Sequence, residues 1–295
     1  MHQQPRPCAI CPTRGWLARE WVSGTANGQV TSMADPGRSG GRPARRHLLG
    51  AALGTVGGAL MAEVTLGGVR VPPARAATST RVPGVSRFVV PVETRQVVVV
   101  RTSSTTTTHA QVETWRRSSA SATWERTSGP HPGRVGYNGV SATRVQNSGK
   151  TPSGMFRLLG TFGPGPNPGT TMGWTRFDAR HWWVYDPKDQ PTYNMIQQRV
   201  AGTTYRWRTT WAEHLVDLGS REYKYAVTIG WNKPGTGRSD VRLGGGIFLH
   251  ANGPGATAGC VSVEEAYVRS IVRWLDPADK PRIIIGPAHW LATTP

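Results

Sequence analysis

The sequence predicts a mainly β fold, a single β-rich or β-sandwich domain with one prominent helix near its C-terminal end. Short strand-like segments follow one another from residue 95 onward, separated by glycine- and proline-rich turns. Hydrophobic residues make up 37% of the chain, and its 36 Gly and 23 Pro residues are typical of a loop-rich protein. About 200 residues remain for this domain, which is enough chain to bury an adequate core.

Residues 1–76 are predicted to be an N-terminal extension that ends in an export signal. Arg45-Arg46 resembles a twin-arginine motif, and an uncharged run from His47 to Ala62 follows it. This run is shorter than the roughly 20 residues of a membrane span. Cleavage is therefore favoured over anchoring, and we expect only transient membrane contact through the signal.

The cleavage site predicted for this signal is Ala74-Arg75-Ala76, so that the mature chain begins near Ala77. Met33 is a candidate for the true start of the protein, because export signals normally begin closer to their arginines. The sequence therefore predicts an exported, extracytoplasmic protein.

The mature chain is predicted to hold a linker over residues 77–94, which lack periodicity, and one domain over 95–295. Residues 187–222 are rich in turns and are expected to cover another part of this domain. The strands expected in the domain are residues 96–101, 111–117, 121–127, 154–159, 223–230, 247–250 and 282–286.

The prominent helix is predicted to start at a capping box, with Ser262 at the N-cap and Glu265 at N3. Asp276-Pro277 is expected to end it. The residues expected on its buried face are Val263, Ala266, Tyr267, Ser270, Ile271, Trp274 and Leu275.

The formal net charge of +18 lies mostly after residue 76 and indicates an anionic environment. Nucleic acid and an anionic cell wall are both candidates, and a solvated basic surface is the alternative. The sequence has no zinc-finger spacing, basic helix or aromatic RNA-binding strand motif. We therefore expect the cell wall and no nucleic acid as partner.

Cys260 is the only cysteine after the predicted export signal, since Cys8 and Cys11 lie before it. An exported chain with one thiol cannot form an internal disulfide, which leaves core packing, an intermolecular bridge or nucleophilic catalysis. His250 lies ten residues upstream, at the end of an apolar strand. A histidine beside a thiol can take its proton, so the pair favours catalysis.

The segment around Cys260 is also predicted to support acyl transfer. A helix that starts just after the thiol would favour its thiolate. The backbone amides of Ala258, Gly259 and Cys260 could form an oxyanion hole. The alternative is a buried, inert thiol, because free cysteine is among the most buried residue types.

Three motifs then resemble the L,D-transpeptidase catalytic domain. T-A-G-C-V (257–261) is similar to the family's [S/T]-x-G-C signature, with Thr257, Gly259 and Cys260 matching. I-F-L-H-A (247–251) is similar to the strand that ends in the catalytic histidine, and T-P-S-G-M-F (151–156) adds a further match. The resemblance covers about residues 95–286.

The resemblance implies that Cys260 attacks the L,D bond of a peptidoglycan tetrapeptide stem, releases D-alanine and forms a thioester. An amine of a neighbouring stem then forms a cross-link. His250 would carry the protons, and the carbonyl of Ala251 would orient its imidazole. No metal or organic cofactor is implied. The candidates for substrate contact are Thr257, Tyr193, Trp183 and His214, although the last three could equally serve packing or capping.

The sequence departs from the family at the short spacing from His250 to Cys260, at Ala258, where many members have histidine, and at Val261-Ser262. The short spacing implies a trimmed loop between the two residues, and the last two departures bear on substrate recognition more than on the nucleophile. An L,D-carboxypeptidase, with water as acceptor, and a non-catalytic wall-binding protein remain the alternatives.

Overall fold

The computed structural model describes residues 81–234 and 239–295. The predicted twin-arginine segment, its cleavage site and the start of the predicted linker lie outside these residues. Within the described ranges, no helix is both long and apolar enough to cross a membrane.

Fourteen strands and two α-helices form the described chain, and the prediction of a mainly β fold with a helix near the C-terminus is confirmed. The strands are β1 Gln96–Thr102, β2 His109–Arg116, β3 Glu125–Arg134, β4 Val140–Ser141, β5 Thr151–Pro152, β6 Gly154–Gly163, β7 Trp174–Arg176, β8 His181–Val184, β9 Met195–Gln198, β10 Ala212–His214, β11 Ala226–Ile229, β12 Phe248–Ala251, β13 Val261–Val263 and β14 Arg282–Pro287. The helices are α1 Glu265–Trp274 and α2 Ala288–Ala292, with short 3-10 helices at Gln190–Thr192, Thr209–Trp211, Leu215–Leu218 and Pro277–Asp279.

Nine strands form the main sheet, in the order β11-β12-β13-β3-β2-β1-β14-β6-β7. An additional pairing of β11 with β6 closes this sheet on itself. Because β11 pairs on both sides, the β12–β13 pair does not lie at a free edge of the sheet. Two smaller sheets accompany it, β10-β8-β9 and the short pair β4-β5.

Strand β1 shows why an unbroken apolar run forms a strand here. Val98 and Val100 enter one hydrophobic cluster, whereas Val97 and Val99 enter another. Successive side chains of a strand point to opposite faces, so a strand with four consecutive valines requires cover on both faces of the sheet. Helix α1 covers the first face, with Val268 among its buried residues.

The segment 81–94 differs from the linker predicted over 77–94. Val82, Val85 and Val90 are buried in one cluster with Val97, and the Arg87 backbone N–H donates to the Leu291 carbonyl at 3.0 Å. These valines lie on no regular element, so their spacing has no period to recognise. They are nevertheless part of the domain, because they cover the second face of β1.

Helix α1 begins two residues later than the predicted capping box. Its N-cap is Glu264, and Ser262 lies in β13, where its hydroxyl donates to Asn252 Oδ1 at 2.8 Å. The predicted capping box is therefore wrong, because parallel pairing of β13 with β12 keeps Ser262 extended. The buried face is rotated accordingly. It consists of Tyr267, Val268, Ile271, Val272 and Leu275.

Candidate active site

His250 lies on β12, and Cys260 immediately precedes the neighbouring parallel strand β13, on the same face of the sheet. In the register of β12 and β13, Leu249 pairs with Val261 and His250 pairs with Ser262. Cys260 precedes β13 by one residue, so it shares a face with His250 and with Phe248. The structure thus brings together the two residues that the sequence predicts as nucleophile and base.

The imidazole of His250 is fixed in one tautomer by its own strand. Its Nδ1 lies 2.7 Å from the carbonyl oxygen of Ala251. A carbonyl only accepts, so Nδ1 carries the proton and Nε2 keeps a lone pair. Nε2 is buried and makes no hydrogen bond. Burial lowers the pKa of His250 to about 4, which leaves a neutral ring at neutral pH.

The thiol of Cys260 is buried and protonated in this state. Its Sγ donates to the Gly246 carbonyl at 3.4 Å and accepts from the Phe248 backbone N–H at 3.4 Å. Burial, with a smaller contribution from Glu213, raises its pKa to about 12. The resting site is therefore a neutral thiol beside a neutral imidazole rather than an ion pair.

The predicted effect of a helix start on this thiol is wrong. Strand β13 separates Cys260 from α1. The helix packs in the cluster that contains Leu249 and Val261, whereas Cys260 belongs to a different cluster with Phe248. Since neighbouring residues of a strand face opposite ways, the helix and the thiol lie on opposite sides of the sheet.

The turn before Cys260 is held by two threonine hydroxyls. Thr257 Oγ1 donates to the Cys260 carbonyl at 2.7 Å, and Thr151 Oγ1 donates to the same oxygen at 3.0 Å. Thr257 Oγ1 also accepts from the Gly259 backbone N–H at 3.1 Å. Thr257, a candidate for substrate contact, thus braces the nucleophile's own loop.

The same contact corrects one part of the predicted oxyanion hole. The Gly259 amide is already engaged by Thr257, so the prediction now depends on the amides of Ala258 and Cys260. Gly259 adopts a φ of +144°, a backbone conformation that residues other than glycine rarely adopt. Its place in the motif thus follows from backbone geometry.

Aromatic side chains cover the thiol. Trp183 and Tyr193 belong to the same buried cluster as Cys260, and Trp183 packs edge-on against Phe248 at 4.6 Å. Trp183 lies on β8, and Tyr193 lies just before β9, within the segment 187–222 that was predicted to act as a cover. The structure does not bring His214 into this cluster. Its ring nitrogens contact Asp217 Oδ1 at 3.0 Å and the Ala179 carbonyl at 2.7 Å.

Glu213, rather than its neighbour His214, lies close to the site. Its Oε1 accepts from the Tyr223 hydroxyl at 3.0 Å, and its Oε2 is buried without a hydrogen bond. The Tyr223 ring packs edge-on against His250 at 5.4 Å. Burial raises the pKa of Glu213 to about 8. In a longer strand, the alternation of apolar and polar residues would have indicated that Glu213 is buried. Strand β10 has only three residues, which is too short for such a pattern to be recognised.

A buried arginine also lies beside the nucleophile. Arg144 donates to the carbonyls of Lys150 and Leu243, and its guanidinium lies next to Gly259. No sequence signal pointed to it, because it is one of many arginines and lies in a loop far upstream of Cys260.

A cavity of about 440 Å³ adjoins the aromatic cover and shares Phe162 and Trp183 with it. Lys233 lines the cavity, with Nζ 4.3 Å from the Trp183 ring centroid. Burial lowers the pKa of Lys233 to about 8. The cavity therefore combines apolar walls with a cation.

Among the described residues, no cluster of three or more histidine, cysteine or acidic side chains is arranged to hold a metal ion. A search of curated proteins and a search of solved structures each gave no significant match. The family model YkuD, the L,D-transpeptidase catalytic domain, matches residues 95–285. This match includes both Cys260 and His250 and covers most of the chain. The chain therefore belongs to the YkuD family of L,D-transpeptidase catalytic domains.

Proposed function

We propose that the protein is an exported L,D-transpeptidase that cross-links peptidoglycan stem peptides through a thioester on Cys260. The observation that carries this proposal is the arrangement of His250. Its Nδ1 is held by the Ala251 carbonyl at 2.7 Å, and its Nε2 lone pair is unused on the face of the sheet that carries the thiol. A neutral imidazole in this tautomer is a competent proton acceptor.

The first half-reaction begins when the Cys260 thiol turns from the Gly246 carbonyl and transfers its proton to Nε2 of His250. The thiolate attacks the carbonyl carbon before the terminal D-alanine of a tetrapeptide stem. The amides of Ala258 and Cys260 stabilise the oxyanion. The C–N bond then breaks, His250 returns the proton to the leaving amine, and free D-alanine departs from the thioester.

The second half-reaction transfers the acyl group. The amine of a neighbouring stem attacks the thioester carbon and gives its proton to His250. The C–S bond breaks, and the thiolate recovers a proton from His250. Water in place of the amine yields a trimmed tripeptide stem, which is the L,D-carboxypeptidase alternative.

Substrate access requires movement of the aromatic cover, because the thiol is fully buried in this state. The cavity of about 440 Å³ that shares Phe162 and Trp183 with the cover is our candidate for the approach of the stem. Lys233 in its wall suits a carboxylate or carbonyl group of that peptide.

The deciding experiment incubates the full-length chain with a tetrapeptide-bearing muropeptide and follows protein and products by mass spectrometry. We expect a tripeptide-sized adduct and free D-alanine from the wild type, and neither from Cys260→Ala. Cross-linked dimers identify transpeptidation, and trimmed monomers alone identify carboxypeptidation. An adduct that persists in Cys260→Ala would refute the role of this thiol.

Complete burial of Cys260 is the observation that favours a non-catalytic wall-binding protein instead. That alternative predicts neither adduct nor D-alanine, together with a thiol that resists alkylation in the folded protein.

Export is proposed from Arg45-Arg46 and the apolar run after it. The test is the N-terminus of the protein recovered outside the cytoplasm, which should lie near Ala77. An Arg45→Lys/Arg46→Lys variant should stay inside, whereas normal export of this variant would refute the twin-arginine assignment.

A further inference from the structure

Arg144 is a buried cation fixed beside the turn that carries the nucleophile. Its side chain is only 4% exposed. Nε donates to the Lys150 carbonyl at 2.9 Å and Nη1 donates to the Leu243 carbonyl at 2.8 Å. These two bonds leave the guanidinium little freedom to turn away.

The strand that follows this loop, β5, is hydrogen-bonded directly to Cys260. Thr151, which follows Lys150, donates its hydroxyl to the Cys260 carbonyl at 3.0 Å. A methyl group placed on Gly259 would lie 3.5 Å from Nη2 of Arg144 and 3.1 Å from the Lys150 carbonyl oxygen. The guanidinium thus packs against the residue immediately before the nucleophile.

No carboxylate offsets this charge in the part of the chain that the structure describes. Other arginines have such partners, for example Arg208, which contacts Asp186 at 2.8 Å. Around Arg144, the groups whose charge would act on it are Cys260, Tyr193 and Tyr137. A thiol and two phenols are uncharged at neutral pH.

A buried cation without a counter-ion is costly, and burial accordingly lowers the pKa of Arg144. Arginine nevertheless keeps its proton in proteins. The backbone carbonyls satisfy its hydrogen bonds but supply no negative charge. In the proposed reaction, the sulfur of Cys260 is the protein group at this site that acquires a full negative charge, before the oxyanion forms on the substrate.

We propose that Arg144 is the counter-ion of the Cys260 thiolate. The inference rests on the proposed role of Cys260 as nucleophile. When the thiol proton moves to Nε2 of His250, a negative charge appears on Sγ in a region of low polarity. The fixed guanidinium stabilises that charge through space, because charges interact more strongly when water is excluded. It does so without contacting the substrate.

The test compares Arg144→Gln, which is neutral and can still donate one hydrogen bond, with Arg144→Lys, which keeps the charge. The rate of Cys260 alkylation by iodoacetamide is measured on the full-length chain over the neutral to mildly alkaline range. Loss of an opposite charge raises a pKa by about one unit or more, and below the pKa this slows alkylation about tenfold. We expect that loss in Arg144→Gln, with Arg144→Lys close to the wild type.

The direction of the change separates this role from a purely structural one. A loosened site exposes the thiol and speeds alkylation, whereas a lost counter-ion slows it. Arg117→Gln is the matched control. Arg117 is also buried and held by backbone carbonyls, among them Thr94 at 2.8 Å, but it packs in a region away from Cys260. This control should not slow alkylation.

Unchanged or faster alkylation in Arg144→Gln would overturn the proposal. If that variant does not fold, Arg144→Lys decides, because a tenfold loss despite the retained charge would contradict a charge effect. A wild-type thiol that neither alkylates nor forms the acyl adduct would instead refute the proposed function itself. The two failures are therefore distinguishable.

Discussion

Replacing Glu213 by glutamine tests how burial of a carboxyl group beside the nucleophile affects stability. Glu213 is 2% exposed, and its Oε1 accepts from the Tyr223 hydroxyl at 3.0 Å. Glutamine keeps the shape of the side chain and an acceptor oxygen for Tyr223. It removes only the ability to ionise, so any difference that depends on pH reports the buried carboxyl.

The magnitude follows from the pKa of Glu213, which burial raises from an ordinary value of 4.5 to about 8. Between these values the unfolded carboxyl is ionised while the folded one keeps its proton. The unfolded state thus binds fewer protons, and stability falls as pH rises, by at most about 1.4 kcal/mol per pH unit. From about pH 5 to about pH 7, the wild type should lose about 2.5 kcal/mol relative to Glu213→Gln.

The assay is urea unfolding of both proteins across this range, with Glu265→Gln as control. Glu265 lies on the surface in an ion pair with Lys224, so its replacement should not produce this pH dependence. A constant difference in the free energy of unfolding between wild type and Glu213→Gln would refute the reasoning. It would show that the carboxyl is ionised, and hence solvated or paired, in the folded protein.

Two further predictions concern local geometry. Ser262→Ala should lower the free energy of unfolding by about 1 kcal/mol through loss of the hydrogen bond to Asn252. The helix content measured by circular dichroism should not change. A loss of helix would show instead that Ser262 caps the helix. Gly259→Ala should cost about 1–3 kcal/mol and slow D-alanine release, because φ is +144° and the new methyl would lie 3.1 Å from the Lys150 carbonyl. Gly165→Ala, which meets no atom within 4 Å, is its matched control, and equal effects of the two would contradict the strain argument.

Local patterns were sufficient for seven of the fourteen strands, namely β1, β2, β3, β6, β11, β12 and β14, and for the choice of Cys260 and His250 as candidate reactive residues. The all-valine run became β1, and the expected pair over 111–117 and 121–127 became β2 and β3, although β3 begins only at Glu125. Apolar periodicity is a property of neighbours in the chain, so it can be recognised without the fold. Gly259 can also be recognised without the fold, because it serves the backbone conformation of the turn immediately before Cys260.

Segments whose conformation depends on contacts with residues distant in sequence were predicted less well. Ser262 and Glu265 match a capping box, but pairing with β12 extends Ser262 into a strand. The valines of 81–94 have no period, yet they cover β1. In both cases the decisive contact is with a segment remote in sequence, and local propensity yields to the energy of that contact.

The sequence by itself determined that Cys260 and His250 belong to one site, because their motifs encode a strand, a turn and the residues on them. Tertiary structure alone decided the charge of that site. Burial holds the thiol and imidazole neutral, and the fold brings Glu213 beside them from strand β10 and Arg144 from a loop. The physical reason is that proton affinity depends on solvent exclusion and on charges close in space, which the order of residues does not reveal.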